Sequence, residues 1–333
     1  MALGRDFWPE PVAASNEQHL ERLMDRFRGA LVGVAIGDAL GAPLEGGATR
    51  DRASLSGWVD KPPEPLRYTD DTHMTLATAR SLVECRGFRV EHMAETFAAN
   101  YEREPWRGYG AGPPQVFEGL RAGKRWDEVA RELFGGSGSF GNGAAMRVAP
   151  IGLLHCCNPK RAADVAREAA QITHTHPVGE DGAALQAAAV AELVQSASGN
   201  DLDASKLLEH LRQIAVTRRF RDLLDSVASL GDVSQATIVR ELGNGVEAHR
   251  SVATALHAFL RHRDSFSDAI LFALSLGGDA DTIASMTGAL AGASLGVSAI
   301  PAPWVTGVEG REELLALAER LLELAVGSEK DLG

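Results

Sequence analysis

Apolar residues recur at the three-and-four spacing of an amphipathic helix over 17–42, 71–86, 88–103, 115–134, 160–171, 181–197, 204–230, 234–242, 248–262, 266–275, 282–296 and 311–326. No stretch alternates convincingly and β-branched runs are short, which leaves a sheet nowhere to start. Aromatic residues make up only 6% of the chain while Ala and Gly are plentiful, a composition that suits helices packed closely through small side chains. Gly288 and Gly292 stand four apart in an apolar, small-residue segment, as expected of a helix deep in a bundle. Turn clusters such as Asp60-Lys61-Pro62-Pro63-Glu64-Pro65 and Gly110-Ala111-Gly112-Pro113-Pro114 punctuate the pattern. None is long enough for an interdomain linker and no fixed-period repeat is visible. The expectation is one compact all-α domain over residues 1–333.

The chain carries 45 acids against 33 bases, a formal charge of −12. Such a surplus argues against nucleic-acid backbones or an anionic membrane as main partners, because both need a basic face. It leaves room for a small anionic ligand held by backbone amides or by a metal. Cys85 stands alone and Cys156 and Cys157 are adjacent, so no disulfide framework is expected and the chain reads as intracellular. The opening MALGRDFWPEP lacks the apolar run of a signal peptide. The apolar segment 31–42 carries Asp38 and is too short to cross a bilayer. A cytoplasmic monomer is expected.

Four segments fit neither plain helix nor plain loop. Tyr68-Thr69-Asp70-Asp71-Thr72 precedes an apolar helix. It reads as a capped helix start, with Thr69 as N-cap, or as oxygen ligands for a hard cation. Gly277-Gly278-Asp279-Ala280-Asp281-Thr282 repeats the arrangement, but within an apolar, small-residue region where an unpaired carboxylate is costly. Together the two turns supply four carboxylates and two hydroxyls, enough for one or two divalent ions. In Gly37-Asp38-Ala39-Leu40-Gly41-Ala42-Pro43-Leu44-Glu45, Asp38 is as open to a structural role as to a site role, and Glu45 falls on a loop that can move.

The fourth segment, Phe134-Gly135-Gly136-Ser137-Gly138-Ser139-Phe140-Gly141-Asn142-Gly143-Ala144-Ala145-Met146-Arg147, frees backbone N–H groups to surround an anion, leads toward a helix N-terminus, and carries Phe, Asn and Arg in an arrangement unlike a plain linker. It is neither a Walker A loop nor a dinucleotide turn. Its aromatics can stack on a base. In Thr173-His174-Thr175-His176-Pro177 one histidine suits a ligand contact and the other a structural role.

GDALGAPLE, TDDT, GSFGNGAAMR, THxxPxxxxGA and GGDADTIASM, in this order over about residues 26–297, resemble the ADP-ribosylglycohydrolase family. FGGSGSFGNG is most similar to the branch that removes ADP-ribose from serine and trims poly(ADP-ribose). The resemblance implies a single orthogonal bundle of many helices and two Mg²⁺ (or Mn²⁺) ions held by Thr69, Asp70, Asp71, Asp279, Asp281 and Thr282. It implies that Glu45 gates the site and takes part in catalysis, with Asp70 and Asp71 as further candidates for activating water. Substrate contacts fall to Phe134, Gly138, Ser139, Phe140, Gly141, Asn142 and His174. Phe140 stands where serine-type relatives usually carry Tyr, and Ala280 replaces a frequent Thr.

The implied partners are ADP-ribosylated protein or poly(ADP-ribose), with ADP-ribose as product. An N-glycosidic bond to arginine, a catalytically silent binding module of the same fold, and a metal-dependent phosphoesterase are the alternatives.

Overall fold

A computed structural model describes residues 17–330, with side chains to 327. Its helices are, in chain order, α1 (Glu17–Gly41), α2 (Asp70–Glu84), α3 (Val90–Arg103), α4 (Gly112–Arg121), α5 (Trp126–Glu132), α6 (Ala149–Leu154), α7 (Pro159–Ala170) and α8 (Pro177–Gln195). There follow α9 (Ala204–Ile214), α10 (Arg218–Ser229), α11 (Gln235–Glu241), α12 (Ala248–Arg261), α13 (Phe266–Ser275), α14 (Ala280–Leu295), α15 (Ala302–Gly307) and α16 (Arg311–Lys330). Among the described residues there is no strand, only isolated bridges such as Gly47 to Gly278 and Gly141 to Glu247. The all-α expectation holds.

The centre of the molecule is the antiparallel pair α1 and α14. Gly29 faces Gly292, Gly33 faces Gly288, Gly37 faces Ala284 and Gly41 faces Asp281. A Cβ added to Gly33 would lie 2.2 Å from the Gly288 carbonyl oxygen, and one added to Gly37 would lie 2.1 Å from that of Ala284. The two backbones therefore touch directly, and no side chain fits between them. By length and composition α1 could cross a membrane, but 83% of its most apolar window is buried inside the protein. That apolar face is spent on neighbouring helices, including α14 and α16.

Where helices begin and end departs from the periodicity in four places. The expected helix 115–134 is two, because the chain turns at Gly123 with φ +83°. The expected helix 204–230 is also two. Asp181 of α8 accepts hydrogen bonds from Val216 N, Thr217 N and Thr217 Oγ1, which holds the chain open between α9 and α10. α6 and α15 were not anticipated, since six residues are too few to display a helical period. The glycine-rich segment does not run straight into an α-helix. It enters a 3₁₀ turn, Asn142–Arg147, and α6 begins afterwards where Pro150 suits a first turn.

Gly33→Ala and Gly37→Ala are each expected to lower unfolding free energy by about 3 kcal/mol, because the clash is with backbone that cannot swing aside. Denaturant unfolding followed by circular dichroism measures it. Ala at Gly57, whose Cβ position is open, serves as the neutral control.

Candidate functional site

The end of α1 brings Asp38 to the start of α2. Asp38 is fully buried, and its carboxylate accepts from Thr69 N at 2.9 Å, Thr69 Oγ1 at 2.7 Å, Thr72 N at 2.9 Å and Thr72 Oγ1 at 2.6 Å. Thr69 occupies the N-cap position of α2 but its side chain makes no capping bond. The cap comes instead from another helix. Since the Thr69 hydroxyl proton points at Asp38, the lone pairs of that oxygen remain for another partner. Asp38 is thus both structural and part of the site, and it orients a ligand group predicted from sequence.

The start of α14 meets this arrangement from the other side. Gly277 and Gly278 turn at φ +66° and +68°, and a Cβ on Gly278 would collide with Asn244. The turn delivers Asp279, Asp281 and Thr282, with Thr282 Oγ1 donating to Asp71 Oδ2 at 3.3 Å. Ligand oxygens of Asp38, Asp71 and Asp281 lie within 4.8 Å of one another, as do those of Glu45, Asp279 and Asp281. The two groups share Asp281. Asp70 stands outside both, on the cleft wall.

Burial pushes the carboxyls of Asp38, Asp70, Asp71, Asp279 and Asp281 up, and for Asp70, Asp71 and Asp281 repulsion from neighbouring acids adds to it. Asp71 Oδ1 and Asp281 Oδ1 are buried without a hydrogen-bond donor. An all-oxygen donor set with orphaned, crowded carboxylate oxygens fits a hard divalent cation.

Glu45 follows a short 3₁₀ turn, Ala42–Leu44, and is exposed at the rim of this cluster. Its carboxyl is raised by partial burial and then by Asp279. Its loop, expected to be able to move, is here tied to the α14 turn. Gly46 N donates to Gly278 O at 2.7 Å, and Gly278 N donates to Gly47 O at 2.9 Å.

The carboxylates form one end of a cleft of about 350 Å³. Phe134, Ser139, Gly141, Asn142 and His174 line it as expected. Asn142 points inward to donate to the Asp279 carboxylate, so part of its role is to hold a ligand group. Gly138 and Phe140 are not among the lining residues. Gly138 is packed against Thr175, and Phe140 is half-exposed, edge-on to His176 with ring centroids 5.8 Å apart. Asp71 lies beneath the floor. His176 caps α8 through Nδ1, accepting from Val178 N at 3.1 Å, which is the structural role expected of one of the two histidines.

Sequence reasoning passed over two lining features and noticed a third without giving it a role. One wall is the backbone of Gly108–Pro113, seen only as turn residues. The second is Tyr109, whose hydroxyl lies 2.8 Å from His73 Nδ1. The third is Arg147, buried, with its guanidinium 4.6 Å from the centre of the Phe97 ring. Burial pulls the Arg147 pKa down to about 9. The signal was present: an arginine inside a run of Gly, Ala and Met needs a reason to be there.

Arg147 also sets the state of His174. Arg147 Nη2 donates to Thr173 Oγ1 at 2.8 Å, and Thr173 Oγ1 lies 2.7 Å from His174 Nδ1. The Thr173 oxygen that accepts from arginine keeps its proton and a second lone pair, and in the tautomer in which it donates to Nδ1 the ring carries its proton on Nε2. Burial and the nearby Arg147 hold the ring pKa down to about 3. His174 is therefore neutral, and in that tautomer a donor to the cleft.

Residues 19–331 match the family model described as ADP-ribosylglycohydrolase. This chain belongs to that family. As an ADP-ribosylglycohydrolase it is a hydrolase acting on ADP-ribosyl conjugates. It is 38% identical to ADP-ribosylhydrolase ARH3 of Mus musculus, across 90% of this chain and 92% of the relative. It is 30% identical to ADP-ribosylarginine hydrolase Tri1 of Pseudomonas putida, across 92% of this chain and 80% of the relative. A solved structure titled ADP-ribosylglycohydrolase-related protein complex superposes with a TM-score of 0.71 at 28% identity, covering 92% of this chain and 99% of that one.

In this ADP-ribosylglycohydrolase, Asp38→Asn is expected to weaken divalent-cation binding by roughly 10–100-fold, because it turns an acceptor into a donor facing Thr69 and Thr72. Titration calorimetry with Mg²⁺ checks this. The same variant should lose about 2 kcal/mol of stability through the damaged cap of α2.

Proposed function

We propose that this enzyme cleaves the glycosidic bond at C1″ of ADP-ribose, releasing ADP-ribose from serine-linked protein conjugates, poly(ADP-ribose) and related O-linked conjugates. The observation that carries the reading is the meeting of two acidic helix starts, Thr69–Asp71 and Asp279–Thr282, with Glu45 at the rim of a cleft of nucleotide size. The higher identity to the ARH3 relative than to the arginine hydrolase supports an O-linked substrate. The presence of every acid in the cluster speaks against a silent binding module.

Thr69, Asp70, Asp71, Asp279, Asp281 and Thr282 would hold two divalent cations, Mg²⁺ or Mn²⁺. When bound, these supply Lewis-acid stabilisation of the ribose hydroxyls and of a nearby water. The chain's own groups do the rest. Asp38 orients Thr69 and Thr72, and Asn142 orients Asp279. His174, the Gly108–Gly112 wall and Ser139, Gly141 and Gly143 line the part of the cleft that would take the diphosphate and adenosine, and Phe134 offers a face for the base.

Hydrolysis breaks the bond from C1″ to the acceptor oxygen through an oxocarbenium-like state and forms a bond from C1″ to a water oxygen. One water proton ends on the departing oxygen. Glu45, raised toward holding a proton and beside Asp279 and Asp281, is the group that moves it. The whole chain is read as one catalytic unit, monomeric and cytoplasmic.

Glu45→Gln is expected to abolish turnover, by about 10³-fold or more, while ADP-ribose still binds in calorimetry. Near-normal turnover would remove Glu45 from the mechanism. Asp70→Asn and Asp281→Asn should lose both metal affinity and rate. Serine-linked, arginine-linked and polymeric ADP-ribose, offered side by side with Mg²⁺ and with chelator, test the substrate class. Free ADP-ribose from the O-linked conjugates alone supports the reading. Preferential release from arginine replaces it, and AMP with ribose phosphate means a phosphoesterase.

A further inference from the structure

Next to the carboxylate end of the cleft lies a second recess of about 590 Å³. The two share Thr69 and Gly108. The segment from Gly112 back to Trp106 tracks along both. At Gly112 an added Cβ would lie 3.8 Å from the Phe134 ring, at the base end. At Gly108 it would lie 3.8 Å from Thr69 Cβ and 4.0 Å from Asp70 Oδ1, at the carboxylate end. Two residues further, Trp106 enters the second recess and is absent from the lining of the first. The recess therefore lies past the carboxylates, on the side away from Phe134.

Its floor is an ion-pair network of one arginine with two glutamates. Arg107 pairs bidentately with Glu309 at 2.9 Å through both Nη atoms, donates through Nε to Glu104 at 2.6 Å, and lies 4.2 Å from the centre of the Tyr68 ring. That leaves two groups uncommitted. Trp106 is 73% exposed, the most exposed large apolar side chain among the described residues. Arg67 is exposed at the recess, near enough to Glu309 to help hold that carboxyl down, while its guanidinium makes no hydrogen bond among the described residues. An aromatic face without a partner beside an arginine whose N–H groups are free is a poor way to finish a surface. It is a good way to hold a base and a phosphate.

We propose that Trp106 and Arg67 form a subsite for a second ADP-ribose unit, the one on the leaving side of the scissile bond, and so favour polymeric substrate. This rests on the reading that the distal ribose lies at the carboxylates with its base toward Phe134. In that pose the C1″ substituent departs toward the recess. In a polymer that substituent carries an adenine for Trp106 and a diphosphate for Arg67. A serine side chain carries neither.

The test uses the full chain with Mg²⁺ and Glu45→Gln in every sample, so that ligands stay intact. Calorimetry compares ADP-ribose, a purified dimer of two ADP-ribose units and a serine-ADP-ribosylated peptide. Trp106→Ala is expected to weaken the dimer about tenfold, with ADP-ribose and the peptide unchanged within twofold. Trp106→Phe should recover most of the loss, and Arg67→Ala should weaken the dimer several-fold while flattening its salt dependence.

Unchanged dimer affinity in Trp106→Ala overturns the proposal. So does an equal loss for ADP-ribose, which would make Trp106 part of the first site. A loss for the peptide as large as that for the dimer overturns it in favour of a protein-acceptor surface. Should wild-type enzyme release ADP-ribose from no conjugate while the dimer-specific loss persists, the hydrolase reading fails and the subsite stands.

Discussion

Everything in this protein that can do chemistry depends on two helices touching backbone to backbone. The glycines of α1 at 29, 33 and 37 meet Gly292, Gly288 and Ala284 of α14 in antiparallel register, with Gly41 against Asp281 at the end of the row. Contacts between side chains tolerate a slide of an ångström or so by changing rotamers. Contacts between carbonyl oxygens and Cα atoms do not. The ladder therefore fixes which residue at the end of α1 lies beside which residue at the start of α14. Asp38 then reaches across to cap α2, so the close-packed pair aligns the acidic start of α14 with that of α2.

This alignment concentrates like charges where they are least welcome. Asp38, Asp71 and Asp281 are almost without exposure, and each is raised first by burial. Two features soften the cost. The helix starts present N–H groups and the positive ends of two dipoles to the same place, and threonine hydroxyls donate to Asp38 and Asp71. They do not satisfy Asp71 Oδ1 or Asp281 Oδ1. A site built with oxygen atoms left over is less stable empty than filled, and cation binding then adds to folding stability by mass action.

The sequence disclosed the parts that break a local rule. Paired acids before a small-residue helix, glycines around two phenylalanines, and a glutamate just past a proline all conflict with their surroundings. Those conflicts, together with the family resemblance, located the two acidic turns, Glu45, His174 and much of the glycine-rich wall. What stayed hidden were roles that exist only in three dimensions. Asp38 looked undecided because its four donors come from residues 69 and 72, a relation that no spacing within α1 encodes. The break between α9 and α10 is made by Asp181, far back in the chain, while periodicity alone runs through it. Phe140 shows the converse. Its place in the motif was clear, yet its ring rests on His176 outside the lining of the cleft.

The −12 charge and the anionic ligand are compatible because the cleft carries its own electrostatics. Acids at the surface act through water and salt, so their field fades within a Debye length. Arg147, by contrast, is buried against Phe97 and acts through the protein, where a charge is felt more strongly at the same distance. Together with burial it also keeps His174 neutral, so the ring gains no proton near neutrality. A cationic histidine would bind phosphate more tightly in acid than at neutral pH. A neutral one held by arginine binds it evenly across the range. Polarity within the cleft is thus divided, with a buried arginine and a neutral histidine along one part and crowded carboxylates that could hold a metal at the other. The net charge of the molecule has little part in the choice.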